Sequence, residues 1–123
     1  MTATVADLIP AAELAALRAS VERAYPAFLQ DLERLVNIDC GSYTKAGVDE
    51  VGRWVRARLE ALGATVTVHP NDEGLGDTVI GELPGDDPSG PTILAIAHMD
   101  TVFDEGTAAA RPFAVDERGI ATG

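Results

Sequence analysis

Residues 92–97 read Thr-Ile-Leu-Ala-Ile-Ala and run directly into His98-Met99-Asp100. The run is short, almost wholly apolar and without the alternation of a half-exposed strand. That pattern predicts a β-strand covered on both faces, as in an α/β sheet. In open sheets of this kind ligands bind in the crevice beyond the carboxyl ends of the strands, and His98 and Asp100 fall there. In extended backbone their side chains share one side, because orientation alternates with period two. An imidazole binds a metal through one nitrogen, and a carboxylate that accepts the proton of the other fixes the ring and raises its basicity. His98 and Asp100 have the residue types for both parts. The alternative is a surface histidine at a strand end with an incidental neighbour, since a complete zinc site needs three or four protein ligands.

Upstream of this run, Pro84–Pro91 (PGDDPSGP) is a turn or loop. Thr78–Leu83 and Thr65–Val68 read as strands on either side of a loop of turn formers, Asn71–Asp77. Before them, Val48, Val51, Val55, Leu59 and Leu62 make one apolar stripe. They predict a helix from about Lys45 to Leu62, with Thr44 as N-cap and Gly63 ending it in a left-handed conformation. Residues 10–37 read as helical, with Pro26 kinking the segment or starting a second helix. Downstream, Pro112–Val115 and Ile120–Ala121 are weaker strand signals around an Asp116–Gly119 turn. The expected fold is α/β, with two N-terminal helical segments followed by a mixed sheet. No long helix follows residues 92–97 to cover the other face of that sheet, so the sequence reads as the beginning of a larger domain.

Composition bounds the function. The chain has 123 residues, a hydrophobic share of 46% and a formal net charge of −11. It has enough apolar residues for a core, and too little positive charge to neutralise phosphates or bind a membrane surface, so neither nucleic acid nor membrane is an expected partner. One cysteine excludes an internal disulfide. No apolar run reaches the roughly 18 residues of a membrane span, and MTATVADLIP lacks the pattern of a secretory signal. The expected compartment is the cytoplasm.

Other candidates have ordinary readings beside the functional ones. His69 precedes Pro70 and reads as a solvent-side loop residue. Cys40, in a Gly/Ser loop, is a buried or incidental thiol, against a catalytic thiol using His69 or His98 as base. Ser42, Tyr43, Thr44 and Lys45 suit a helix cap better than an anion site, because the glycines of a phosphate loop are missing. Asp72, Glu73, Asp77, Asp86 and Asp87 lack the ligand alternation of a calcium loop and read as solvated charge. Trp54 widens the apolar face of its helix.

Leu32–Val68 and Thr92–Phe103, with its H-x-D-T-V sequence, occur here in a fixed order and are followed by Arg111-Pro112-Phe113 and a short hairpin. In these features the chain resembles the N-terminal part of a di-zinc metallopeptidase family. That family comprises aminoacylases, acetylornithine deacetylases, succinyl-diaminopimelate desuccinylases and glutamate carboxypeptidases of the carboxypeptidase G type. The resemblance covers about residues 32–123 and leaves 1–31 as a helical lead-in. It implies that His98 is a ligand of one zinc ion (cobalt or manganese being alternatives) and that Asp100 is the catalytic-site aspartate orienting it. It implies hydrolysis of amide bonds in N-acyl amino acids, peptides or C-terminal glutamate-type small molecules by a metal-activated water, in a homodimer. The bridging aspartate, the paired glutamates, a further acidic ligand, a late histidine and the lid domain used for dimerisation are not found in these 123 residues. The chain is therefore expected to be inactive alone. The alternative is a non-catalytic α/β binding module complemented by a separately encoded remainder.

Overall fold

Apolar residues at three- and four-residue spacing and a high alanine content give the first element, α1 (Ala11–Val36). The computed structural model describes residues 9–87 and 89–123. Residues 1–8 of the N-terminal reading, and Pro88 of the 84–91 loop, lie outside them. Pro26 stands inside α1 as a single helix and does not start a second one. It cannot donate to the Glu22 carbonyl, and Glu22 lies in an exposed stretch of the helix. The chain divides into two units, Met1–Arg34 and Leu35–Gly123. The first consists, where described, of α1 up to Arg34.

The second unit holds the remaining elements in the order α2 (Lys45–Ala61), β1 (Thr65–His69), β2 (Thr78–Glu82), α3 (Thr107–Ala110), β3 (Ala114–Val115) and β4 (Ala121–Thr122). Helices followed by small sheets make an α/β arrangement, as expected. β1 and β2 form an antiparallel hairpin with Thr65 opposite Glu82 and His69 opposite Thr78. β3 and β4 pair antiparallel around the 116–119 turn. Among the described residues, Gly41 and Thr101 form an isolated parallel bridge. The apolar stripe of α2 packs on the β1–β2 hairpin. Val48 and Val51 are buried with Cys40, and Leu35, Ile38, Val55 and Met99 pack around them. Leu62, at the end of the stripe, is exposed. Gly63 has φ 88°, the left-handed conformation that closes the helix. Thr44 precedes α2 as expected, but its side chain makes no capping hydrogen bond. Trp54 is half-buried, with the Arg58 guanidinium 5.2 Å over its ring.

The strand expected at Thr92–Ala97 does not form: these residues are irregular, and Ile93 and Ile96 are 90% and 85% exposed. A strand exists only where a ladder partner receives its backbone groups. β1 and β2 pair with each other, and no other described strand lies against residues 92–97.

Several carboxylates are tied to backbone. Asp39 receives the N–H groups of Ala108 and Gly106, each at 2.9 Å, at the start of α3. These bonds hold its carboxyl below the usual range. The Lys45 ammonium, then the Asn71 amide, lower Asp77, and Asp77 in turn raises Lys45, with help from Asp49. A carboxyl lowered by folding stabilises fully above its unfolded value near pH 4, and that contribution is lost as the pH falls through the folded value. A raised lysine stabilises below its unfolded value near pH 10.4, and its contribution is lost as the pH rises through the folded one. Stability should therefore be flat from about pH 5 to pH 8 and fall on either side, the raised Cys40 thiol joining Lys45 on the alkaline limb. Asp39→Asn should make the acid limb shallower in denaturant titrations between about pH 2 and pH 5. An unchanged acid limb would show that Asp39 does not hold α3.

Candidate functional site

Met99 packs into the core cluster against Gly52. Residues 98–100 are not in a strand, so the period-two expectation does not apply to them; His98 is exposed and Asp100 half-buried. His98 Nδ1 lies 2.9 Å from the Asp100 carbonyl oxygen and 3.2 Å from Asp100 Oδ1. Two acceptors from one residue face that nitrogen, so it carries the proton and donates to them. The lone pair then resides on Nε2, on the far side of a ring whose side chain is 83% exposed.

The other carboxylate oxygen, Asp100 Oδ2, accepts a hydrogen bond from the Ser42 hydroxyl. Ser42 is brought there by backbone. The Thr101 N–H donates to the Cys40 carbonyl at 2.8 Å, and the Ser42 N–H donates to the Thr101 carbonyl at 3.1 Å. Gly41 sits between these bonds, where a Cβ would run into the Phe103 carbonyl oxygen. The Ser42 bond foremost, with the His98 ring contributing, holds the Asp100 carboxyl below the usual range against a smaller desolvation penalty. Asp100 is thus an anion with both oxygens engaged.

The remaining candidates lie elsewhere or have other work. Cys40 is buried, and burial, with the charges of Asp100 and Asp39 adding, pushes its thiol up, against the nucleophile reading. His69 ends β1 opposite Thr78, away from the hydrogen bonds of the pair. Lys45 binds Asp77, Asp49 Oδ2 at 3.1 Å and the Leu75 carbonyl at 3.0 Å, so it ties α2 to the 71–77 loop. Asn71 Oδ1 accepts the N–H groups of Glu73 and Leu75, and Asp87 accepts from Ser89. These loop groups order their own turns, while Asp72, Glu73 and Asp86 are exposed. Ser42 and Asp39 are the site and support residues that sequence reasoning missed. Ser42 lies 58 residues from Asp100, and no spacing signal links the two.

The donor set suits one ligand position: a neutral imidazole with a free lone pair and a carboxylate behind it. Among the described residues no group of three His, Cys, Asp or Glu is placed to hold a metal ion. Also among them, no helix is long and apolar enough to cross a membrane.

No protein-family model matches the chain. Over 93 residues, 74% of its length, it is 39% identical to Carboxypeptidase G2 of Pseudomonas sp. (strain RS-16), and the match covers 22% of that protein. Over 74 residues, 57% of its length, it is 42% identical to Cysteinylglycine-S-conjugate dipeptidase of Corynebacterium striatum, with 15% of that protein covered. The chain thus spans less than a quarter of the curated relatives it matches. By sequence it is similar to peptidases of the carboxypeptidase and dipeptidase kind.

Proposed function

We propose that residues 32–123 are the N-terminal portion of the catalytic domain of a zinc-dependent peptidase or amidohydrolase, and that His98 is one of its metal ligands. The observation that carries this is the His98–Asp100 pair, with the proton held on Nδ1 and Nε2 left open to solvent. Similarity to a carboxypeptidase and a dipeptidase supports the reaction class, cleavage of an amide bond next to an amino acid. A zinc ion at such a site supplies an acidified water and a positive charge for the developing oxyanion. The chain's own part is to present Nε2, to keep the tautomer fixed through Asp100, and to hold Asp100 ionised through Ser42. Substrates are N-acyl amino acids, peptides or C-terminal glutamate-type amides. The remaining ligands and the general base belong to polypeptide of the kind the relatives carry beyond the matched stretch. The 123 residues alone therefore bind zinc weakly and hydrolyse nothing.

Joining residues 32–123 to the part of the Pseudomonas carboxypeptidase that follows its matched stretch tests this reading. The folded hybrid should hydrolyse a glutamate-terminated amide in the presence of zinc, and the unjoined chain should not. A hybrid with native-like circular dichroism and no metal-dependent turnover would contradict the proposal, as would turnover by the 123 residues alone.

A further inference from the structure

Asp100 can serve His98 only if its carboxylate is turned so that one oxygen faces Nδ1, and the segment Cys40–Gly41–Ser42 controls that rotation. The Ser42 hydroxyl has one proton to donate. Its acceptors are Asp100 Oδ2, the nearer, and the Thr101 carbonyl at 3.3 Å. Oδ2 held by Ser42 leaves Oδ1 facing the imidazole at 3.2 Å. The hydroxyl is itself fixed by backbone, because the Ser42 N–H is bonded to the Thr101 carbonyl and the Thr101 N–H to the Cys40 carbonyl. Gly41 permits this approach by having no side chain to meet the Phe103 carbonyl.

We propose that Ser42 is a positioning residue of the site, locking the Asp100 carboxylate so that Oδ1 accepts the His98 Nδ1 proton and Nε2 is presented as a ligand. This rests on the reading of His98 as a metal ligand and adds to it a residue that acts through two others. The imidazole has a second acceptor, the Asp100 carbonyl, at 2.9 Å. Removing Ser42 should therefore leave the ring oriented by that carbonyl but weaken its carboxylate partner. A partner of this kind is worth about 10–100-fold in metal affinity.

The test compares the 123-residue chain with Ser42→Ala and Ser42→Thr. Long-range 1H–15N spectra, read through the ring carbon protons at about pH 8 where imidazole is neutral, report the Nδ1 resonance of His98. Broadening of His98 by Co2+ reports metal engagement. Ser42→Ala should shift Nδ1 toward the value of a weaker hydrogen bond and reduce the initial cobalt response about tenfold. Ser42→Thr, which keeps the hydroxyl, should restore both, and His69 should be unaffected throughout. The proposal is overturned if Ser42→Ala changes neither signal, or if Ser42→Thr behaves as Ser42→Ala does while retaining the wild-type fold. Should His98 of the wild type ignore cobalt, the metal-ligand reading fails; the Nδ1 comparison still decides what Ser42 does to Asp100.

Discussion

Gly47→Ala should destabilise the chain by about 2 kcal/mol, a fall of roughly 10 °C in Tm, although it puts a better helix former inside α2. In an exposed helix the same change stabilises by about 1 kcal/mol. Here the new methyl would run into the Asp39 carbonyl oxygen and lie 3.2 Å from the Cys40 Cα. Those are backbone atoms of the segment that carries Cys40 and Ser42, so they cannot rotate aside as a side chain does. Overpacking against them costs about 1–3 kcal/mol or more, which outweighs the propensity gain. Gly52, one and a half turns further along α2, makes the contrast. A Cβ there meets Val79 Cγ2 at 3.5 Å and Met99 Cε at 3.6 Å, ordinary contact distances. Gly52→Ala should therefore stabilise by up to about 1 kcal/mol. Denaturant titrations of the two variants should move in opposite directions. A stabilising Gly47→Ala would mean that residues 39–40 do not press on α2, and the placement of Ser42 beside Asp100 would lose its support.

The second large effect concerns metal binding. His98→Ala removes the only imidazole of the site, and the cobalt response around residues 98–101 should disappear. His69→Ala should change nothing there, because His69 lies at the end of β1 and is not bonded to the pair. Asp100→Asn should be intermediate. The amide oxygen still accepts the Nδ1 proton, but its neutral charge lowers the basicity of Nε2, at a cost of about 10–100-fold in affinity. The ordering wild type, Asp100→Asn, His98→Ala is the signature of a carboxylate acting through a histidine. Equal losses in all histidine variants would point instead to diffuse attraction of a cation to a chain of net charge −11.

Much of the second unit is legible in its residues. The stripe from Val48 to Leu59 and the glycine at 63 mark α2 because side-chain period and chain termination are local properties. The β-branched run at 65–68 and the turn formers after it mark the hairpin for the same reason. Residues 92–97 show the limit of that reasoning. An apolar run records that a segment is meant to be covered, but the ladder partners that make it a strand lie elsewhere in the chain, and none of the described strands supplies them. The site divides similarly. His98 and Asp100 are two residues apart, and a local hydrogen bond from the ring to the Asp100 carbonyl and carboxylate joins them without a strand. Ser42 reaches Asp100, and Asp39 reaches α3, only through the tertiary fold. Ser42 had an adequate local explanation, as part of a helix cap, that hid the longer connection. Thr44 stands at the N-cap as its residue type suggests, but its side chain makes no capping hydrogen bond.

Metal binding at His98 requires that Nε2, not Nδ1, be the available nitrogen. The direct measurement is the 15N spectrum of the two imidazoles at about pH 8, before and after addition of zinc. Nδ1 of His98 should have the shift of a protonated nitrogen and Nε2 that of a bare lone pair, and zinc should move Nε2 of His98 while leaving His69 in place. A proton found on Nε2, or a zinc-induced change confined to Nδ1 or absent from His98, would contradict it.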